Sequence, residues 1–197
     1  MKTISKNRIV MLMAGGIILT ASMMAHSGQT AAVIDDFSAA DNTSYGLPRQ
    51  FINDAMAGGA TQDKHSLNNG IMRVTGTITP PRGQPGWSSA VVPLAEIGKF
   101  VDASVYQGIQ LRVRITQGNL SVSANSQDIT NFDYHAAPIV VKADGKFHDV
   151  TIPFTSMKRA WSEQTPLNTS NLNSLSIVAY SLQPAAFDYE IDDVRFY

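Results

Sequence analysis

Arg112 and Arg114 stand two positions apart in segment 109–115, where apolar and polar residues alternate. Alternate side chains of a strand point to the same face, so both guanidinium groups are expected beside Gln110 and opposite Ile109. Guanidinium groups held on a rigid sheet bind hydroxyl-rich or carboxylate ligands through charge-assisted hydrogen bonds. We therefore predict a ligand platform at this pair; the structural alternative is ion pairing with nearby Asp or Glu.

Four aromatic residues could complete such a platform, because flat apolar rings are surfaces on which sugar rings stack. They are Trp87, Tyr134, Trp161 and Tyr180. The same residue types also fill the core of a sandwich, so packing is the alternative interpretation of each.

Acidic pairs lie near both ends of the chain after its apolar leader, at Asp35-Asp36 and Asp192-Asp193. If the first and last strands run side by side, Asp36 and Asp193 could supply oxygen ligands to a structural calcium ion. The alternative is that these carboxylates cap strand ends or pair with Arg195. No cofactor beyond this possible ion is predicted.

Residues that could form a catalytic site are sparse. The chain has no cysteine, which excludes disulfides, thiolate nucleophiles and cysteine-ligated metals. His65, His135 and His148 are scattered without the close spacing of metal motifs. The stretch Gly86-Trp-Ser-Ser-Ala90 loosely resembles a nucleophile elbow, but strand-like Val91 and Val92 follow it and run into Pro93 and at most a short turn. We predict a protein that is not an enzyme; an unrecognised hydrolase is a further alternative, because the spacing of a carboxylate pair is a three-dimensional property.

The elements that must position these residues are strands. Short segments with alternating or strand-like apolar patterns are broken by Gly, Pro, Asn and Asp, which is typical of a β-sandwich. The predicted strand segments are 71–78, 87–92, 109–115, 120–124, 132–135, 147–154, 175–182 and 187–197. Only two short helical segments are predicted, at 94–100 and 156–161.

The first 32 residues have the pattern of an export signal. Lys2, Lys6 and Arg8 precede an uncharged, largely apolar stretch, 9–24, and small residues follow as far as Ala32. This stretch is shorter than the roughly 20 residues that span a bilayer, so no stable membrane span is expected after cleavage. We predict a signal peptide at 1–32, a single domain at 33–197, and an exported protein in the periplasm or outside the cell; an uncleaved anchor is the alternative.

The charge of the predicted mature chain argues against two classes of partner. Removing the leader leaves 12 basic and 16 acidic residues, a net charge of −4. Without a basic patch, such a chain attracts nucleic acid and anionic lipid weakly, so neither is predicted as a partner.

A turn at Asp54, Gly58 and Gly59 is predicted to be structural. A glycine pair adopts positive φ at little steric cost, and an aspartate a few residues earlier can accept backbone N–H bonds.

Several short motifs occur in a characteristic order and spacing: Val33-Ile-Asp-Asp-Phe37, Asp54-Ala-Met-Ala-Gly-Gly59, Tyr106-Gln-Gly-Ile-Gln-Leu-Arg112, Ile152-Pro-Phe154 and Glu190-Ile-Asp192. Together they resemble the complex I intermediate-associated protein 30 kDa family. The resemblance implies a jelly-roll sandwich, like galactose-binding domains and related to carbohydrate-binding modules. The chain departs from the family pattern at Ile115-Thr-Gln-Gly-Asn119, where a Gly-Asp-Gly type turn is usual.

Members of that family are known chiefly as non-catalytic assembly factors for a respiratory complex, a partner that an exported protein would not meet. The leading prediction is therefore an exported module that binds a carbohydrate or another polar ligand. The alternative is an assembly or scaffolding factor that binds a protein partner.

Overall fold

The computed structural model describes residues 31–197, which form two antiparallel β-sheets packed face to face. The strands of this part of the chain are β1 (Ala32–Asp35), β2 (Gln50–Asn53), β3 (Gln62–Asn68), β4 (Ile71–Ile78), β5 (Gly86–Pro93), β6 (Gly108–Gln117), β7 (Asn119–Ser126), β8 (His135–Ile139), β9 (His148–Pro153), β10 (Leu172–Ser181) and β11 (Ala185–Phe196). Short 3₁₀ turns occupy Asp54–Ala57, Phe154–Ser156 and Thr169–Asn171. The predicted all-β antiparallel jelly-roll sandwich is confirmed.

The strand order interleaves distant parts of the chain. Within residues 31–197, the six-stranded sheet has the order β3-β4-β11-β6-β9, with β1 beside the end of β11. The five-stranded sheet has the order β2-β5-β10-β7-β8. The first and last strands do run side by side, since Ala32 pairs with Phe196. The predicted signal peptide lies outside the described residues apart from Ala31 and Ala32, and Ala32 already belongs to β1.

The core lies between the two sheets and follows from the alternation within each strand. Phe187, Tyr189 and Phe196 project from β11 and are fully buried. They meet the inward side chains of the other sheet, of which Ile177 is an example. Burying one such side chain contributes about 1.5–3 kcal/mol, so the apolar alternation is sufficient to drive the two layers together.

Some elements differ from the sequence-based expectation. Strand β3 was not predicted, because its inward positions include the polar Asp63 and His65; the His65 ring stacks on Phe51 with ring centroids 3.6 Å apart. Segment 94–100 forms turns instead of a helix. Segment 156–161 has only the end of a 3₁₀ turn, and its Lys158 pairs with Ala136 in an extended bridge.

The boundary of β8 also differs from the prediction. Segment 132–135 is mostly a loop, and β8 starts only at its last residue. Phe132 has φ 62°, which is incompatible with a regular strand. Among residues 31–197, no helix is long and apolar enough to cross a membrane.

Candidate ligand-binding face

The outward side of the five-stranded sheet carries uncharged side chains, and we call it the neutral face. Cross-strand partners share a face, so the outward positions are those that alternate with core residues. Within the described residues, none of these strand positions holds a charged side chain; Lys158 lies beyond β8 at the rim. The outward positions are Gln50, Ile52, Trp87, Ser89, Val91, Pro93, Asn119, Ser121, Ser123, Asn125, Ala136, Pro138, Ser174, Ser176, Val178 and Tyr180.

A hydrogen-bonded network of small side chains crosses two strands of the neutral face. The Asn125 amide donates to Ser174 Oγ at 3.0 Å and to Ser176 Oγ at 2.8 Å. Its Oδ1 accepts from Ser123 Oγ at 2.8 Å. Asn125, Ser123 and Ser176 are only 4%, 6% and 7% exposed. These short side chains therefore lie below the outer surface of the neutral face. We call Ser123, Asn125, Ser174 and Ser176 the polar floor, the serine and asparagine floor of this face.

Two predicted ligand-binding aromatics meet at one end of this face. Trp87 of β5 and Tyr180 of β10 are direct cross-strand partners, and Tyr180 also pairs with Asn119 of β7. Tyr180 is 38% exposed. Direct cross-strand partners have Cβ atoms about 4.5–5.5 Å apart, so the two aromatic side chains project side by side from the same face.

The predicted structural turn lies directly under this aromatic end. Asp54 is fully buried and accepts hydrogen bonds from Thr61 N at 3.1 Å, Thr61 Oγ1 at 2.8 Å and Trp87 N at 3.0 Å. Gly58 has φ +85°, and a Cβ at Gly59 would lie 2.2 Å from Asp54 Oδ1. The turn thus positions the backbone of Trp87 through one buried carboxylate.

The other two predicted aromatics lie in loops near the opposite end. Tyr134 immediately precedes β8, whose first residue, His135, pairs with Ala124 at that end of the five-stranded sheet. Its ring makes an edge contact with Phe132, with centroids 6.4 Å apart. Trp161 lies in the connection from β9 to β10 and is 69% exposed.

Asp133 ties these two loops together. Its carboxylate accepts backbone N–H bonds from Ala160 at 2.8 Å, Trp161 at 3.1 Å and Ser162 at 2.6 Å. Burial by itself would raise the pKa of Asp133, but the hydrogen bonds from Ser162, Ala160 and Trp161 outweigh it and hold this pKa below its usual value. The position of Trp161 therefore depends on an ionised carboxylate.

The predicted arginine pair lies on the opposite side of the molecule. Arg112 and Arg114 project from β6 on the outward side of the six-stranded sheet, which we call the charged face. Arg112 pairs with Asp192 at 3.2 Å, and Arg114 pairs with Glu190. The hydrogen bond to Glu190 raises the pKa of Arg114. The outward residues that define the charged face include Arg73, Gln110, Arg112, Arg114, Asp149, Asp188, Glu190, Asp192, Asp193 and Arg195.

Both arginines also contact an aromatic ring, since their guanidinium carbons lie 5.3 Å and 4.6 Å from the centroid of Phe147. Such contacts add to the ion pairs in holding the two side chains in place. The residues predicted from sequence as one ligand site are thus divided between two sheets, with the aromatics at the neutral face and the arginines on the charged face.

The acidic pairs predicted as calcium ligands already have partners within the protein. Asp36 accepts from Ser38 N at 3.0 Å and Ser38 Oγ at 2.7 Å, and Asp193 pairs with Arg195 at 2.5 Å. Asp35 is buried against Arg49 at 2.6 Å. No three His, Cys, Asp or Glu side chains of residues 31–197 are grouped to hold a metal ion. The calcium site remains a prediction from sequence.

The sequence-based prediction overlooked the serine and asparagine residues of the neutral face. Their signal was present in Asn119-Leu-Ser-Val-Ser-Ala-Asn-Ser126 and in Ser174-Leu-Ser-Ile-Val178, where small polar residues alternate with apolar ones. Serine at such positions is usual on any solvated strand. Only the pairing of these two strands shows that the hydroxyls converge.

The family model of complex I intermediate-associated protein 30 (CIA30) matches residues 37–191. No curated protein matches the chain significantly.

Solved structures with a similar fold include the family 11 carbohydrate-binding module of a cellulosomal cellulase of Clostridium thermocellum. It has 17% sequence identity and a TM-score of 0.60, and the alignment covers 84% of this chain and 93% of that one. The same module in complex with a β-1,3-1,4-mixed-linked tetrasaccharide gives 17% identity and a TM-score of 0.59, with 84% and 94% covered. An agarase gives 10% identity and a TM-score of 0.56 over 85% of this chain but 24% of its own. At these identities the likeness concerns the fold.

Proposed function

The chain belongs to the complex I intermediate-associated protein 30 family, and we propose that it is a non-catalytic binding module whose neutral face binds a carbohydrate chain. The observation that carries this proposal is a strand surface of uncharged hydroxyl and amide groups with aromatic residues near both ends.

The neutral face can be desolvated at low cost. Covering an unpaired charge with an uncharged ligand is expensive, whereas hydroxyl and amide groups can exchange water for sugar hydroxyls with little net loss. The charged face would lose the hydration of several ion pairs under the same ligand. A neutral, hydroxyl-rich ligand is therefore better matched to the five-stranded sheet.

The length of the neutral face suits an extended ligand. Tyr180 and Ser174 lie six positions apart on β10, which corresponds to about 20 Å along the strand. Trp87 and Tyr180 offer rings at one end, and Tyr134 lies beside the other. An oligosaccharide could stack on aromatic rings at both ends while its hydroxyls meet the serine and asparagine floor between them.

The comparisons support this proposal through the fold. Carbohydrate-binding modules share the architecture, and one such structure contains a tetrasaccharide. Export of the chain remains part of the proposal, because the leader at 1–32 has the features of a signal peptide. Mass spectrometry of the mature N-terminus tests export; an intact Met1 on membrane-held protein would contradict it.

A protein partner is the second candidate function, and two observations favour it. The matching family model is that of an intermediate-associated protein of complex I. Phe132 and Trp161 are 78% and 69% exposed in the two loops that Asp133 joins. Exposed apolar side chains of this size are common in protein interfaces.

Titration calorimetry with neutral polysaccharides, including mixed-linked β-glucan and agarose oligosaccharides, tests the leading proposal. We expect Trp87→Ala combined with Tyr180→Ala to weaken binding at least about tenfold, because both stacking surfaces are lost. The matched control is Arg112→Ala combined with Arg114→Ala, which should leave affinity unchanged. Affinity lost in the arginine variant and retained in the aromatic variant would contradict the neutral-face site. Binding to none of the sugars, with capture of a protein that depends on Phe132 and Trp161, would favour the second function.

A further inference from the structure

A polar cavity lies at one end of the sandwich, separate from the neutral face. It has a volume of about 230 Å³ and lies between the end of β7, the start of β8 and the connection from β9 to β10. Its lining residues are Ser126, Asp128, Ile129, His135, Arg159, Thr165 and Pro166. Drug-sized ligands occupy pockets of about 300–1,000 Å³, so this cavity suits a smaller molecule.

Two buried polar atoms of the cavity lining have no hydrogen-bond partner among the described residues. They are Ser126 Oγ and His135 Nδ1, and each residue is 1% exposed. A buried polar group without a partner costs about 1–3 kcal/mol, so such groups are normally satisfied by protein, water or a ligand. Both residues line the same cavity, so a polar molecule there is a candidate partner for them.

The histidine tautomer follows from its other contact. His135 Nε2 lies 2.6 Å from the carbonyl oxygen of Thr165, which can only accept, so Nε2 carries the proton. In the neutral ring, Nδ1 then has a lone pair that no described residue uses. Ser126 Oγ can donate as well as accept. A ligand hydroxyl complements both atoms, because it can donate to Nδ1 and accept from the serine.

The charged side chains of the lining are already engaged. Asp128 accepts from the amides of Asn168 at 2.9 Å and Asn171 at 2.7 Å. Arg159 donates to the carbonyl oxygens of Asp133 at 3.1 Å and Glu163 at 3.3 Å. An ionic ligand would have to compete with these bonds, whereas a neutral one would not.

We propose that this cavity binds a small neutral polyol, no larger than a single hexose, with its hydroxyls on Ser126 Oγ and His135 Nδ1 and its carbon skeleton against Ile129 and Pro166. The site differs from the neutral face in its residues and its size. Polyol binding in the cavity can therefore be confirmed or contradicted independently of oligosaccharide binding at Trp87 and Tyr180.

Imidazole ¹⁵N NMR of the protein, titrated with glycerol, glucose and galactose as probes, tests the site. We expect at least one probe to shift the Nδ1 resonance of His135 in a saturable manner. Ser126→Ala should weaken this binding by roughly 3- to 10-fold, the loss of one neutral hydrogen bond. The matched control Ser121→Ala, on the neutral face, should leave it unchanged, as should Trp87→Ala.

The same variants define the results that would overturn the site. No saturable shift with any probe, or equal affinity in wild type and Ser126→Ala, would mean that the cavity holds ordered water only. Because Ser126 Oγ has no hydrogen-bond partner among residues 31–197, thermal unfolding of Ser126→Ala should occur at or above the wild-type temperature. A lowered unfolding temperature would show that the hydroxyl is already used within the fold, which would also overturn the proposal.

Discussion

The two outward faces of this sandwich have the same backbone geometry and opposite chemistry. On the charged face, basic and acidic side chains of neighbouring strands pair across the sheet, as Arg73 does with Asp188 at 2.8 Å. On the neutral face, outward strand positions within residues 31–197 are uncharged, and Asn125 joins serines of two strands.

This difference distinguishes polar side chains that only stabilise the fold from polar side chains that can also contact a ligand. The cross-strand ion pairs satisfy their own charges, and surface pairs of this kind contribute only about 0–1 kcal/mol each. The serine and asparagine floor retains unused acceptor capacity on its hydroxyl oxygens, because each hydroxyl can accept as well as donate. If the proposed function is correct, abundant charge on a sheet does not mark the binding surface of this protein.

We expect the largest effect on stability from Gly59→Val, which disrupts the turn beneath the neutral face. The new side chain would collide with Asp54, whose carboxylate holds Thr61 and Trp87. We expect a loss of about 3 kcal/mol in the free energy of unfolding, measured by urea denaturation. Gly58→Asn is the control, because asparagine tolerates positive φ and the space there is open; it should cost less than about 1 kcal/mol. Equal stability of the two variants would contradict this role for Asp54.

Asp133 makes one end of the neutral face sensitive to acid. Its folded-state pKa lies below the unfolded-state value of about 3.9, so its stabilisation is complete above that pH and is lost as the pH falls through the folded-state pKa. Asp133→Asn should lower stability at neutral pH by about 2 kcal/mol, the range of one charge-assisted hydrogen bond.

Measured against pH, the stability difference between wild type and Asp133→Asn should shrink below about pH 4. Fluorescence of Trp161, compared with Trp161→Phe as a blank, should report the loop opening over the same range. A stability difference that is constant with pH would contradict the ionised state of Asp133.

Breaking the polar floor should have a moderate effect on stability. Asn125→Ala leaves the hydroxyls of Ser123, Ser174 and Ser176 without their shared partner. We expect a loss of about 1–2 kcal/mol by thermal or urea unfolding, together with weaker oligosaccharide binding. Asn119→Ala, on the same face but more exposed, is the control for the loss of stability. An unchanged affinity in Asn125→Ala would remove the floor from the proposed site.

The smallest effect is expected on the charged face. Arg112→Ala and Arg114→Ala should each lower stability by less than about 1 kcal/mol, because the side chains are partly exposed, and the effect should diminish at high salt. The double variant should bind oligosaccharide as wild type does. A double variant with wild-type stability and abolished binding would instead support the ligand platform predicted from the sequence alone.

Much of the fold could be predicted because it depends on local alternation. The regular pattern of β4, β6 and β11 identified these strands and their buried sides. Strand β3 could not be recognised, since its inward Asp63 and His65 are stabilised by contacts with Ser88 and Phe51 from other strands. Asp63 is partly buried and accepts a hydrogen bond from the distant Ser88, whereas His65 stays exposed beside Phe51, and neither partner can be identified from the segment alone.

Part of the candidate site could also be predicted, because some of its properties belong to individual residues. Trp87 and Tyr180 were recognised as individual residues, because aromatic side chains bring a stacking surface wherever they lie. That they form one pair depends on the register of β5 with β10. The arginines were correctly placed on an outward face, but the identity of their partners was open.

The sequence by itself determined which side chains share a face of each strand, because the two-residue period of an extended backbone is a local property. It also determined the family and, through it, the jelly-roll architecture. Only the tertiary structure decided which strands lie side by side. Asn125 meets serines about 50 positions further along the chain, and Arg114 meets Glu190 at a separation of 76. Such pairings depend on the packing of the whole core, so the division into a charged and a neutral face appears only when both sheets are assembled.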